Sequence, residues 1–463
     1  RTFAMLWVCL YHAKGQVEHF VDNEQYEESF NPSFSRVLAD QGALAVDLFF
    51  TMGGFFGALM LIPRIQKGGS NIKSYLHSIQ HRFLRIWPMI MMSLLFYWFV
   101  MEYINKGMFW WRLDALSKEC DAVGWTKILM IDNLVLGDGK GYCMLWQWYL
   151  AADIQIYCIL TVVIGFYLKN RKRGYFLALF LVIQGFALGL FNTIFFNIRY
   201  WDGGTYYFRL FYFLPPVRWT TFFIGVIFGI MYFEYKKLKM TRYNFFAFCE
   251  EHPRISYLLA ALGLGIFLFG AGFIRSYQVH PEIWSDEFRS AWNPLNRICM
   301  ASTVVLLVMS QLIQKKSWIK SFFNLRLFQI CGKLSYAFYL YHEIMGSILI
   351  NNQTDFIKDY NNGIIFTFWV KMALITIAVA LVVHLTIEKP LLAIVNRFTS
   401  KTESKKVIPP LQQQQAPPKL EESSEKLMAK ANINERSNIN CNGNNNDDNK
   451  NNTNNNDENS KKN

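Results

Sequence analysis

Charged residues are scarce in this chain. Of its 463 residues only 17% are Asp, Glu, Lys or Arg, against 52% hydrophobic and 17% aromatic, a balance that excludes an ordinary soluble globular domain. Cysteine is scarce too: eight, widely scattered, are too few for a disulfide-stapled scaffold. The sequence lacks His/Cys clusters at metal-ligand spacing, so no metal is expected, and it lacks a local Ser/His/Asp signature. "GDGKG" (137–141) has no following Ser or Thr to complete a phosphate loop and reads as a turn.

What the chain does have is apolar runs. Segments of about 20 residues, enough for a helix to cross roughly 30 Å of hydrocarbon, recur almost to residue 390. They predict an all-α, polytopic membrane bundle of about ten transmembrane helices. The predicted spans centre on 1–13, 43–62, 83–104, 145–168, 174–194, 211–233, 255–274, 292–313, 324–350 and 363–388. The first is short and the chain opens on Arg rather than Met, so an N-terminally truncated membrane domain is expected over 1–397. Beyond it, "PPLQQQQAPPK" and "NGNNNDDNKNNTNNNDENS" cannot bury enough apolar surface to offset their ordering entropy. Residues 398–463 are therefore predicted to be a disordered, Gln/Asn-rich tail.

Loop charge predicts orientation. Loops after the second, fourth, sixth and eighth spans are basic, with "KNRKR" (169–173) and "KKLK" (236–239), whereas the first of the alternate loops, "EHFVDNEQYEE" (18–28), is acidic. Basic loops stay inside, which puts the C-terminus in the cytoplasm of a multi-pass protein of the endoplasmic reticulum or plasma membrane. The formal charge of +13 then follows from topology and contact with membrane lipid, and implies no nucleic-acid partner. Cys120 and Cys143 share the long external loop between spans three and four, an oxidising side where a disulfide is expected. Asn352 heads a glycosylation sequon, "NQT", on that same side.

Several ionisable residues lie where they are costly. Arg1 and His12 are eleven residues apart, which brings a helix back to within about 20° at a rise of roughly 16 Å, so both share one stripe at different depths. With the helix entering from the cytoplasm, His12 is expected well inside the membrane or toward its outer half, where such groups usually face a protein interior or wet cavity. In "HRFLRIWP", Arg82 and Arg85 share one helix face at the predicted cytoplasmic entrance of span three. Their forked guanidinium groups suit the phosphates of a nucleotide-bearing donor. Asp153, in "CMLWQWYLAADIQIY", is expected about 12 Å in from the outer surface. His342 and Glu343 occupy the outer half of span nine, in "LSYAFYLYHEIMGS". Asp47, Arg218, Arg297 and Lys371 also fall in the outer half, and with Asp153 and Glu343 they are expected either to surround a wet cavity or to form separate helix-locking pairs.

At these residues the sequence resembles the acyltransferase 3 family, and more closely its nose-resistant-to-fluoxetine-like branch. The matching segments are Arg1 with His12, "AVDLFFTMGGFF", "RFLRIWP", Cys120 and Cys143 followed by "CMLWQWYLAADIQIY", "LSYAFYLYH" and "TIEKPL", in order over roughly residues 1–397. The resemblance implies acyl transfer from acyl-CoA, entering from the cytoplasm, to a hydroxyl or amine of an unknown lipid, sugar or small-molecule acceptor. It implies functional roles for Arg1, His12, Arg82 and Arg85, the arginines on the donor. An imidazole suits the removal of the acceptor's proton or transient acyl carriage, so His12 is the expected catalytic group. Asp153 or Glu343 are candidates to orient it. One departure is that the bacterial branch has "SVEEQFY" where this chain reads "AADIQIY".

A rival reading is a transporter of lipids or small hydrophobic molecules, because polar residues near the midplane also serve a substrate path. No pair of inverted repeats with broken helices is evident. A haem carrier using His12, His342 or His384 is disfavoured because His384 is expected at a different depth from the other two.

Overall fold

The computed structural model describes residues 1–21, 33–104, 107, 109–135, 143–198, 204, 206–358 and 360–400. The chain divides into two units, 1–408 and 409–463. Beyond Ser400 the predicted tail lies outside the described residues, as does the "GDGKG" turn.

Helices make up the first unit. In chain order they are α1 (Thr2–Glu18), α2 (Phe34–Asp40), α3 (Ala45–Lys67), α4 (Ile72–Leu95), α5 (Trp110–Ile128), α6 (Asp132–Val135), α7 (Trp148–Lys169) and α8 (Arg171–Phe195). There follow α9 (Pro215–Leu238), α10 (Phe245–Glu251), α11 (Pro253–Val279), α12 (Asp286–Thr303), α13 (Trp318–Phe323), α14 (Arg326–Asn351), α15 (Asn362–Val383) and α16 (Lys389–Ser400). π-helical turns cover Phe96–Val100, Tyr207–Tyr212, Val304–Val308 and His384–Glu388. Pairing between extended segments among the described residues is limited to one isolated bridge, Val21 to Ile357.

Seven of these helical stretches are long and apolar enough to cross a membrane. They correspond to the predicted spans two to seven and ten. The three other predicted spans are helical but fall outside that set, for a local reason in each case. α1 has only 17 residues and carries Lys14 and Glu18. α12 opens on Asp286 and Glu287 and carries Arg289 and Arg297. α14 carries Arg326, Lys333 and Glu343. These charges lower mean apolarity, whether paired inside the bundle, as Lys14 and Glu343 are, or exposed, as Asp286, Glu287, Arg326 and Lys333 are.

Two apolar cores meet at α1. Met5, Cys9, Ala13 and Val17 pack with α4, α5, α14 and α15, whereas Ala4 and Val8 pack with α3, α7, α8 and α9. His12 therefore stands on the helix that separates the two halves. Bonds across the bundle hold α1 in place: Thr2 donates to Phe328 O at 3.1 Å, and Trp369 Nε1 to Leu6 O at 3.0 Å.

α3 and α9 touch backbone to backbone. A Cβ on Gly225 would stand 1.9 Å from Thr51 O, and one on Gly54 2.0 Å from Phe222 O. Only glycine fits such a seam, and in a membrane this close approach is what lets helices associate. At the far edge, Cys120 and Cys143 are disulfide-bonded, as expected from their shared loop, with Cα atoms 4.7 Å apart. Beneath that bond Lys127 Nζ reaches Asp132 at 2.6 Å and Met144 O at 2.9 Å.

Candidate active site

His12 faces α14. Its Nδ1 lies 2.8 Å from Glu343 Oε1, and donation of Nδ1–H to that carboxylate leaves Nε2 as the basic nitrogen. The pair is partly accessible, His12 at 23% and Glu343 at 16% of full side-chain exposure. Gln16, one helical turn beyond His12, donates through its amide to the second carboxylate oxygen, Oε2, and to Glu343 O at 3.3 Å. Glu343 is thus held from two points of α1.

His342 is the neighbouring wall. Its ring centroid is 5.1 Å from that of His12, nearly edge to face, and its Nδ1–H donates to Tyr339 O at 2.7 Å. Its Nε2 is buried with no partner among the described residues, so it presents a lone pair rather than a proton. Further along α1, Lys14 bridges Glu18 at 2.5 Å and Asp40 at 2.7 Å, while Tyr360 donates to Glu18 at 2.6 Å. These bonds form a polar belt beside the imidazole.

The two arginines of α4 are not equivalent. Arg82 forks onto Asp153, Nε to Oδ2 at 3.2 Å and Nη2 to Oδ1 at 2.7 Å, and its guanidinium lies 4.3 Å from the centroid of the Tyr157 ring. Its donors are committed to a carboxylate that is only 4% exposed. Arg85 is exposed and lies within electrostatic reach of Arg82, Arg1 and Glu388. Arg1 is exposed as well, over Phe56 at 5.2 Å. The structure therefore joins His12, His342 and Glu343 in one centre and puts Asp153 in another, with Arg82.

Arg82 is also deeper along its helix than the sequence suggests. The third span was predicted from residue 83, but α4 begins at Ile72, so about 15 Å of helix precedes Arg82. The remaining charges of the predicted outer cavity do not join the His12 centre: Arg297 gathers with Arg218 over the Tyr212 ring. Asp47 and Arg218 form a closed pair at 2.8 Å, both fully buried, and Lys371 is exposed.

A comparison with known families decides the lineage. The family model described as an acyltransferase domain (Acyltransferase 3) matches residues 1–385. The chain belongs to the acyltransferase 3 family. All the candidate residues of this acyltransferase 3 domain, from Arg1 to Glu343, fall inside the match. The chain is also similar to the nose resistant to fluoxetine protein 6 of Caenorhabditis elegans, 26% identical over 253 aligned residues that take in 49% of this chain and 30% of that protein. The match thus spans under a third of that relative's length, and the branch named from sequence agrees with it. No solved structure matches.

Sequence reasoning passed over Gln16. Its position, four residues after His12 on the same helix face, was the available signal. Among the described residues no group of His, Cys, Asp and Glu is arranged to hold a metal ion.

Proposed function

We propose that this acyltransferase 3 domain moves an acyl group from acyl-CoA to a hydroxyl or amine of a lipid, sugar or small molecule, with His12 as general base. The observation that carries the reading is the bond from His12 Nδ1 to Glu343 at 2.8 Å, which leaves Nε2 free to take a proton. In the reaction the acceptor's O–H or N–H proton passes to His12 Nε2 as its oxygen or nitrogen attacks the thioester carbonyl. The carbonyl–sulfur bond then breaks, the imidazolium gives its proton to the departing sulfur, and coenzyme A leaves as the thiol with His12 neutral again. Glu343 stabilises that imidazolium, Gln16 holds Glu343, and the His342 ring walls the site beside His12.

Arg85 and Arg1, exposed and without a carboxylate locked to them, are assigned to the donor's phosphates. Arg82 is assigned to positioning, since Asp153 takes its fork. Membership of the family supports the activity class. The basic alternate loops and the Cys120–Cys143 bond support a cytoplasmic donor side with the disulfide on the opposite, oxidising face. In this reading α1, α12 and α14 complete ten crossings and the C-terminus is cytoplasmic, in the endoplasmic reticulum or plasma membrane.

The test uses membranes containing the wild-type chain or His12→Ala, incubated with radiolabelled acetyl- and palmitoyl-CoA and a broad acceptor extract. The expected result is labelled product that depends on His12. Folded protein that yields no His12-dependent label, while moving a labelled lipid across the bilayer, would replace this reading with a transporter.

A further inference from the structure

Away from His12 the bundle buries more positive charge than it neutralises. Arg297, on α12, is 3% exposed, and its guanidinium lies 3.8 Å from the centroid of the Phe211 ring and 5.8 Å from that of Tyr212. The same Tyr212 ring carries the guanidinium of Arg218 at 4.3 Å. Arg218 spends Nη1 on Asp47 at 2.8 Å and Nε on Tyr212 O at 2.6 Å. Two arginines therefore share one tyrosine and one carboxylate, and that carboxylate is already taken.

Arg297 Nε and Nη1 and Arg218 Nη2 are buried without a hydrogen-bond partner among the described residues. Aromatic faces attract a guanidinium but do not satisfy its in-plane N–H donors, and a buried charge is tolerable only when paired. Gln41 is fully buried nearby in the chain, with neither amide atom partnered. It stands two residues before Ala43, whose carbonyl accepts the Tyr212 hydroxyl at 3.1 Å.

We propose that Arg297, with the free Nη2 of Arg218, binds a phosphate oxyanion. Phosphate is the favoured class because a guanidinium edge offers parallel N–H donors at the spacing of two oxygens. The place suits it. Arg218 lies in the first turn of α9, whose positive end adds to the field. The phosphate belongs to a lipid headgroup or to a soluble molecule, and the site stands whether or not acyl transfer is the activity.

The test is thermal unfolding of the purified full chain in detergent, at constant ionic strength, titrated with inorganic phosphate in one arm and short-chain phosphatidylglycerol in the other. Saturable stabilisation by about 2 °C or more at a hundredfold excess over the half-saturating concentration is expected in at least one arm. Response to phosphate identifies a soluble oxyanion site; response to the lipid alone, with short-chain phosphatidylcholine inert, identifies a headgroup site. Arg297→Gln should abolish the response, while Arg85→Ala should retain it. Should Arg297→Gln not fold, Arg297→Lys, which keeps the charge but loses the fork, should weaken half-saturation at least tenfold. No saturable response in wild type, or one lost in Arg85→Ala and kept in Arg297→Gln, overturns the site.

Discussion

Glu343 is the residue on which the account of catalysis can be separated from mere packing. Glu343→Gln keeps the shape and one hydrogen bond to His12 but removes the charge that stabilises an imidazolium. Its kcat should fall about 100-fold to 10,000-fold with KM for acyl-CoA little changed, measured as coenzyme A release. Arg85→Ala should act in the opposite sense, raising KM for acyl-CoA with kcat largely kept, because its guanidinium is exposed and assigned to the donor. Arg82→Met differs again: it strands Asp153, only 4% exposed, and should cost about 3 kcal/mol of stability in a denaturation series. The sequence revealed that His12, His342, Glu343 and Asp153 are all deep ionisable groups. It did not reveal which carboxylate meets His12, because hydropathy and spacing give depth along a helix and not the angle between one helix and the next. Glu343 and Asp153 were equal candidates until α14 turned one of them toward α1.

The elements are stabilised by contacts that few single positions announce. The α3–α9 seam depends on Gly54 and Gly225, where any Cβ would strike a backbone carbonyl. Gly225→Leu should leave little folded protein, read as loss of the monodisperse peak in detergent chromatography, whereas Gly265→Leu, on the open side of α11 with nothing near its Cβ position, should be tolerated. The disulfide closes a loop of separation 23. Cys143→Ser should therefore destabilise by about 3 kcal/mol, seen as a lower unfolding temperature that reductant reproduces in wild type. Here the sequence was informative where chemistry is local: the shared loop of Cys120 and Cys143 indicated their bond. It was misleading at the start of α4, because "IKSYLHSIQHR" (72–82) is amphipathic. Hydropathy marks only the apolar part of a helix, and α4 begins at Ile72 rather than at the predicted span start of 83.

At the scale of the whole molecule, the helical membrane character was evident from composition, while the number of crossings was not. Seven helical stretches are apolar enough by themselves; α1, α12 and α14 carry charges that lower their mean hydropathy. The helices that carry the proposed centre are thus ones that hydropathy underrates, since His12 and Glu343 sit on α1 and α14. Ten crossings with a cytoplasmic C-terminus predict that a tag after residue 463 is digested by protease added to the cytoplasmic face of sealed vesicles and protected on the other.

The most direct measurement is coenzyme A release by purified wild type, His12→Ala, Glu343→Gln and the double variant, with saturating acyl-CoA and the acceptor found in the labelling experiment. If Glu343 works through His12, Glu343→Gln should be intermediate, and His12→Ala should be as inactive as the double variant. Wild-type turnover in His12→Ala, or losses that simply multiply in the double variant, would contradict a Glu343-oriented His12 base.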